Sequence, residues 1–353
     1  MERIAAILAV FVLLMNGRHV EHRLERSVMP IVIMATPIPL DSSDPARVML
    51  GPLRYLGGWS LSSTHPAFGG ISSMRVNGSG ELDALSDTGE RFIFRAGSGA
   101  MKARLMPLPV FRRELGEPKW KWDSESMTAD PATGKLWVGF ELIQRICRYS
   151  SDFARIEGCA SPWAMRDWPA TTGMESLQRL PDGRFLGIAE AAVGPHGATD
   201  VLLFRGDPVD PATPPPAHLA YRPPEGFEPS DALWLGNGRM LVLNRRLSLS
   251  GFTALLTLVD LGRLGEGKVL TGTVVASLVP PVAHDNFEVL ALGSDHGRPV
   301  LWVASDDNHY FFQRSLLLKF ALPPQWARPS QPVFRSGAWS YICFTCRRNC
   351  FES

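Results

Sequence analysis

Apolar residues along this chain come in short blocks rather than at helical spacing. Leu136-Trp137-Val138-Gly139-Phe140, Phe185-Leu186-Gly187-Ile188-Ala189, Met240-Leu241-Val242-Leu243 and Val300-Leu301-Trp302-Val303-Ala304 are examples, rich in aliphatic and aromatic side chains. Blocks of this length predict strands covered on both faces. Each is preceded by another strand-like stretch and a turn: Pro131-Ala132-Thr133-Gly134, Pro181-Asp182-Gly183, Gly236-Asn237-Gly238 and Ser294-Asp295-His296-Gly297. Asn77-Gly78-Ser79-Gly80 makes a fifth such turn nearer the N-terminus. Glycine and asparagine there allow positive φ, and proline presets φ near −65°. The unit reads as an antiparallel hairpin.

Five hairpins share one plan. Gly70-Ile71-Ser72-Ser73-Met74 leads to Leu85-Ser86-Asp87, and Asp123-Ser124-Glu125-Ser126-Met127 leads to a block ending Gly139-Phe140-Glu141. Gly173-Met174-Glu175-Ser176-Leu177 leads to Ile188-Ala189-Glu190, and Pro229-Ser230-Asp231-Ala232-Leu233 leads to Leu243-Asn244-Arg245. The last runs from His284-Asp285-Asn286-Phe287-Glu288 to Ser305-Asp306-Asp307-Asn308. With Ser72, Glu125, Glu175, Asp231 and Glu288 as one column, the repeat is 50–57 residues, the size of a four-stranded unit. Further strands at 91–95, 103–110, 201–205, 218–222, 254–261 and 273–278 fill the intervals. Only one strand, at 315–322, follows the fifth hairpin, and an unassigned one, at 53–61, precedes the first. Pairing these two ends completes the last sheet. The fold predicted is all-β, a β-propeller of five blades closed by its N- and C-terminal strands, with six blades as the alternative. The proline-rich stretch 206–217 cannot lie inside a sheet and is expected between the third and fourth strands of its blade.

Composition narrows the function. The 353 residues carry 36 Lys plus Arg against 35 Asp plus Glu, so no global basic field exists to hold a nucleic-acid backbone. Arg3 and the apolar residues 4–15 have the form of an export signal and are too short for an ordinary membrane span. The domain plan is a signal peptide or N-terminal anchor at 1–30, a propeller at 48–325 and an irregular Cys-rich tail at 326–353. Of the five cysteines, Cys147 and Cys159 could form a bridge in an exported protein or remain two buried thiols. Cys343, Cys346 and Cys350 lie in the tail without a fourth zinc ligand.

Asp87, Glu141, Glu190, Arg245 and Asp306 end the second strands at one offset and form a second column. Inner strands of a propeller line its channel, so both columns should converge on one mouth. Crowded carboxylates raise one another's pKa and call for a cation, and hard oxygen ligands suit calcium. The candidate metal ligands are Glu125, Glu141, Glu175, Glu190, Asp231, Asp285, Glu288 and Asp306, with carbonyl oxygens of Asn286 and Asn308 in support. The competing reading is that these carboxylates accept backbone N–H bonds and lock the blades. Candidate catalytic groups are Glu175, Glu288, His284 and Arg245. Arg245 would serve as a salt-bridge partner or as a bidentate anion contact. His65, His196 and His309 are further loop histidines that could reach the mouth. No Gly-x-Ser-x-Gly elbow, phosphate-binding loop or dinucleotide fingerprint occurs, and no organic cofactor is expected.

These words in this order resemble a known family, the bacterial exported proteins with a phytase-like domain and esterase-like activity. The resemblance rests on Gly70-Ile71-Ser72, Leu85-Ser86-Asp87, Asp123-Ser124-Glu125-Ser126, Gly139-Phe140-Glu141, Gly173-Met174-Glu175-Ser176-Leu177 and Ile188-Ala189-Glu190. It continues through Asp285-Asn286-Phe287-Glu288, Ser305-Asp306-Asp307-Asn308 and Gln313-Arg314-Ser315-Leu316-Leu317-Leu318, covering residues 50–323. It implies a periplasmic or secreted β-propeller with a hydrolytic activity on no particular substrate, and the Cys-rich tail departs from its pattern. The functional expectation is an exported, calcium-dependent hydrolase of a small-molecule ester or phosphate ester. The alternatives are a non-catalytic propeller that binds a ligand or another exported protein, and a lactonase-like enzyme with a histidine base. No nucleic-acid partner is expected, and a membrane is met only through the N-terminal segment if that remains uncleaved.

Overall fold

Strands apolar on both faces need cover on both sides, and sheets stacked around an axis provide it. The computed structural model describes residues 28–109, 123–169, 173–190, 198–249 and 251–326, and among them no α-helix occurs. No helix of the described residues is long and apolar enough to cross a membrane.

Three strands precede the first repeat: β1 (Met29–Pro37), β2 (Met49–Leu50) and β3 (Leu53–Ser62). Blade 1 is β4 (Ile71–Val76), β5 (Leu82–Ser86), β6 (Glu90–Phe94) and β7 (Gly99–Pro107). Blade 2 is β8 (Ser124–Ala129), β9 (Leu136–Phe140), β10 (Arg145–Tyr149) and β11 (Ile156–Ala160). Blade 3 is β12 (Met174–Arg179), β13 (Phe185–Ala189), β14 (Thr199–Phe204) and β15 (Ala217–Tyr221). Blade 4 has β16 (Glu228–Gly236), β17 (Arg239–Ser248), β18 (Gly251–Asp260) and, after the short β19 (Val269–Leu270), β20 (Gly272–Leu278). Blade 5 begins with β21 (Phe287–Asp295), β22 (Arg298–Ser305) and β23 (Ser315–Ala321). Its fourth strand is β3, antiparallel to β23 with Leu61 opposite Ser315 and Arg54 opposite Ala321. The inner strands β4, β8, β12, β16 and β21 neighbour one another in that order, and β21 returns to β4. This is the five-bladed ring closed by its two ends that the repeat predicts.

The core is divided in the same way. Five apolar clusters among the described residues each lie between two successive blades. Leu85 and Leu108 meet Val138 and Tyr149 between blades 1 and 2, and Tyr221 meets Val242 between blades 3 and 4. The stretch 206–216 runs between β14 and β15, as its prolines require. β10 and β11 carry Cys147 opposite Cys159, joined as a disulfide.

β1 is a feature that the repeat does not reveal. It precedes residue 48, where the sequence reading starts the propeller, yet it pairs along Met29 to Ala35 with β7 of blade 1 and along Met34 to Pro37 with β3 of blade 5. Its inward residues Ile31, Ile33 and Ala35 enter the cluster between those blades. The first and last blades are therefore joined at the outer edge as well as at the channel.

Phe320 is fully buried beside the β3–β23 seam, edge-on to Tyr55 with ring centroids 5.6 Å apart. Phe320→Ala is expected to lower the unfolding free energy by about 3–5 kcal/mol in urea titrations, through lost burial and the cavity left behind.

Candidate functional site: an acidic channel mouth

Every inner strand is irregular at the same point. Register shifts occur between Ile71 and Ser73, Ser124 and Ser126, Met174 and Ser176, Pro229 and Asp231, and Phe287 and Val289. The extra residue in each bulge is Ser72, Glu125, Glu175, Ser230 or Glu288. A bulge leaves its extra residue out of the ladder and re-aims the side chain, which accounts for a column of acids on otherwise apolar strands. The residues that close the second strands are fixed from the same edge. Asp87, Glu141, Glu190 and Asp306 donate their backbone N–H to Gly70, Asp123, Gly173 and Asn286 respectively.

Serines in the bulges (Ser72, Ser230) or beside them (Ser126, Ser176) tie blade to blade. Ser126 Oγ donates to Met174 O at 2.7 Å, Ser176 Oγ to Ala232 O at 3.2 Å and Ser230 Oγ to Phe287 O at 3.1 Å, and Ser72 Oγ donates to Ser124 O. Ser124 and Ser126 are thus staples around Glu125, with no nucleophilic role visible in their contacts.

Two groups of carboxylates have ligand oxygens within 4.8 Å of one another: Asp123, Glu125 and Glu141, and Glu141, Glu175 and Glu190. Burial raises Glu125 well above the usual carboxylate range, reinforced by Asp123, Glu175, Glu288 and Glu141. Glu175, only 6% exposed, is raised well by burial and then by Glu190, with Arg245 opposing. Burial, with Asp123 adding, pushes Glu141 to about 7. The backbone N–H of Glu175 donates to Gly173 O at 3.1 Å, and its carboxylate accepts no hydrogen bond among the described residues.

Arg245 is the cation of the mouth. Its Nη1 donates to Asn286 Oδ1 at 2.7 Å and to Glu288 Oε1, and its Nη2 to Glu190 Oε1. Asn286 Nδ2 also donates to Glu288 Oε1 at 2.8 Å. Burial raises Glu288 while Arg245 holds it down. Burial raises Asp306 well above its ordinary value, with Glu288 and then Asp87 adding, and Asn308 N donates to its Oδ1 at 2.7 Å. Arg245 thus engages Glu190 on blade 3 and Glu288 on blade 5, while Glu125, Glu141 and Glu175 make no ion pair among the described residues.

Of the residues proposed from sequence, Glu125, Glu141, Glu175, Glu190, Glu288, Asp306 and Arg245 come together. Asp231 does not share the bulge column; the register places Ser230 there. The carboxylate of Asp231 accepts Leu290 N and Ala232 N at 2.7 Å each, joining blade 4 to blade 5. Burial still raises Asp231 to about 8, with those N–H bonds and Ser176 holding it lower than burial alone would. Asp285 is taken by Arg314 at 3.0 Å. His284 turns Nδ1 to Val282 O at 2.9 Å, and its described contacts include none of the mouth carboxylates. Asn286 spends its carbonyl oxygen on Arg245, and the side-chain nitrogen of Asn308 donates to Gln313 Oε1 at 2.9 Å. His65 Nδ1 accepts Ala67 N at 3.3 Å. His196 and the tail cysteines lie outside the described residues.

Two features went unrecognised in the sequence. Asp123 completes one carboxylate group, and its place two residues before a repeated Glu was the available signal. On the seam of blades 1 and 5, Asp307 is the second, accepting Gly70 N at 2.9 Å; there His309, one of the histidines the sequence offers to the mouth, stands with Nε2 3.7 Å from Asp87 Oδ1. Gly70 has φ +61°, and a Cβ there would lie 2.2 Å from Asp87 Oδ1.

Five blades with carboxylates converging on one end of the channel define an acidic-mouthed β-propeller. A family model described as phytase-like, esterase-like activity of phytase, matches residues 66–309, and the chain belongs to that family. A search of curated proteins finds no match. Similar solved structures include an endo-arabinase from Bacteroides thetaiotaomicron, at 10% identity and TM-score 0.44, covering 73% of this chain and 95% of that one. An aldose sugar dehydrogenase with bound PQQ from Streptomyces coelicolor shares 11% identity at TM-score 0.41, covering 75% and 97%. The fold assignment rests on the strand order described above.

Two outcomes follow from this geometry. Arg245→Gln leaves Glu190 and Glu288 without their guanidinium and is expected to cost about 3–5 kcal/mol in urea titrations at neutral pH with chelator, and less as the pH falls and Glu288, raised by burial, takes up a proton. Asp231 binds its proton more tightly folded than unfolded. Its contribution is therefore full below about 4 and lost as pH rises through about 8. Asp231→Asn should flatten that part of the stability–pH curve.

Proposed function

We propose that this protein is an exported hydrolase of ester or phosphate-ester substrates, acting at the acidic mouth with calcium as its metal. The observation that carries this reading is the imbalance of charge at the channel. Glu125, Glu141 and Glu175 crowd together and make no ion pair among the described residues, while the guanidinium of Arg245 is engaged by Glu190 and Glu288. Burying that many carboxylates calls for a further cation, and an all-oxygen set of this kind fits calcium better than zinc or copper. Glu175, buried and with a carboxylate that accepts no hydrogen bond among the described residues, supports the fit. Membership in a family described by esterase-like activity supports the reaction class.

Calcium held by these carboxylates would supply charge to polarise a substrate oxygen. The chain's own part is acid–base chemistry and orientation. A carboxylate with a raised pKa, Glu175 or Glu288, accepts the proton of the attacking water and can return it to the departing alcohol. Arg245, fixed by three partners, orients Glu288 and presents its remaining donor positions to the substrate's anionic oxygens. His284 is given no part in this scheme, since none of its described contacts reaches a mouth carboxylate. Export is supported by the charged and apolar pattern of residues 1–15 and by a Cys147–Cys159 bridge, which an oxidising compartment would preserve. The second reading, a propeller that binds at its mouth without catalysis, is favoured by the serine staples, which show part of this architecture serving rigidity alone.

Melting of the full chain in calcium and in chelator, followed by hydrolysis of aryl acetate and aryl phosphate, tests the proposal. Calcium is expected to raise Tm by several degrees, and Glu175→Gln with Glu288→Gln to remove turnover. An absent calcium shift eliminates the metal. A calcium shift with no turnover above the double variant replaces the enzyme by the binding module.

A further inference from the structure

We infer that the mouth takes two divalent cations side by side, with Glu141 as the ligand they share. Oxygens of Asp123, Glu125 and Glu141 lie within 4.8 Å of one another, and so do those of Glu141, Glu175 and Glu190. Ligand oxygens about 2.3–2.6 Å from one calcium stand no more than about 5.2 Å apart, so each trio has the span of one coordination shell. The five residues do not form one such group, and Glu141 alone belongs to both. Two adjacent sites joined through one carboxylate result.

The fold builds the shared position. Glu141 follows β9 of blade 2, and Gly173, just before β12 of blade 3, donates its N–H to Glu141 Oε1 at 3.3 Å. A Cβ on Gly173 would collide with the Glu141 side chain, so glycine lets that carboxylate lie on the seam of the two blades. Asp123 and Glu125 complete one trio from blade 2, and Glu175 and Glu190 complete the other from blade 3.

Glu175 is the observation that points to a ligand rather than to crowding alone. It is 6% exposed, an oxygen of it belongs to the second trio, and its carboxylate accepts no hydrogen bond among the described residues. Buried carboxylates ordinarily have such partners. Charge then argues for two ions over one. Glu125, Glu141 and Glu175 make no ion pair among the described residues, so one divalent ion leaves one of these charges over before Asp123 and Glu190 are counted. Two ions, with Arg245 on Glu190, come close to balance.

The two sites are unequal. Arg245 is bonded to Glu190, a member of the second trio, and none of its described partners is in the first. A cation on blade 3 meets the repulsion of that guanidinium and of an ion already held by Glu141. Binding is therefore stepwise, blade 2 before blade 3.

Calorimetric titration of the calcium-stripped full chain tests the inference, which rests on the reading that the mouth takes calcium. Two ions per chain are expected, the second binding at least about tenfold more weakly than the first. Glu125→Gln should remove the tighter step alone and Glu175→Gln the weaker step alone, whereas Glu141→Gln should weaken both at least about tenfold. In chelator each variant is expected to melt no lower than the parent, because losing a buried charge relieves repulsion. The parent's stoichiometry decides even where a variant melts lower. One ion per chain, the same step lost in Glu125→Gln and Glu175→Gln, or one step left intact in Glu141→Gln would each overturn the shared pair and leave the calcium reading standing. No bound calcium at all would remove both.

Discussion

A ring repeats whatever its unit contains, and this geometric constraint governs the channel. One glutamate at the start of an inner strand is an ordinary residue; recurring around an axis, it meets its own copies. Repulsion among them is met here in two ways. One side of the ring contains a guanidinium in place of an acid, Arg245, held by Glu190, Glu288 and Asn286. On the other side, Glu125 and Glu175 make no ion pair among the described residues and are raised by burial and by neighbouring carboxylates. The asymmetry arises from a single departure within an otherwise acidic column.

The serines show how the same repeat also serves rigidity. Ser126, Ser176 and Ser230 each donate to a backbone carbonyl of the next blade, and Asp231 accepts an amide from blade 5. These bonds fix the bulges, and the bulges aim the glutamates. Staple and site are neighbours along the chain, so the position of each carboxylate depends on two blades rather than one.

Much of this was legible before any coordinates. The fifty-residue repeat, the turns and the unmatched strands at the two ends were enough for five blades and for the partnership of β3 with β23, because period and closure are properties of the pattern. The convergence of Glu125, Glu141, Glu175, Glu190, Glu288 and Asp306 followed from the fold. Legibility failed where one residue of register decides a side chain's direction. Ser230 and Asp231 are adjacent, and only the pairing of Pro229 with Asn244 and of Asp231 with Leu243 shows which sits in the bulge. Asp285 and His284 lie next to the column in sequence, but they precede β21 and their side chains are taken by Arg314 and by Val282 O. β1 escaped because it belongs to no repeat. β10 and β11 were not assigned because their short, mixed sequences lack a continuous apolar block.

The partnership of β3 with β23 has a consequence in time. The strand that completes blade 5 is among the first to emerge from the ribosome, and the strand it needs is among the last. Until then β3 has an unsatisfied edge, and β1 waits between two blades of which only one can yet exist. Such high contact order makes closure a late event in folding and leaves strand edges open to wrong partners in the interval. Were the chain exported, as proposed above, that delay would be an advantage, since a propeller whose ring cannot close early remains threadable.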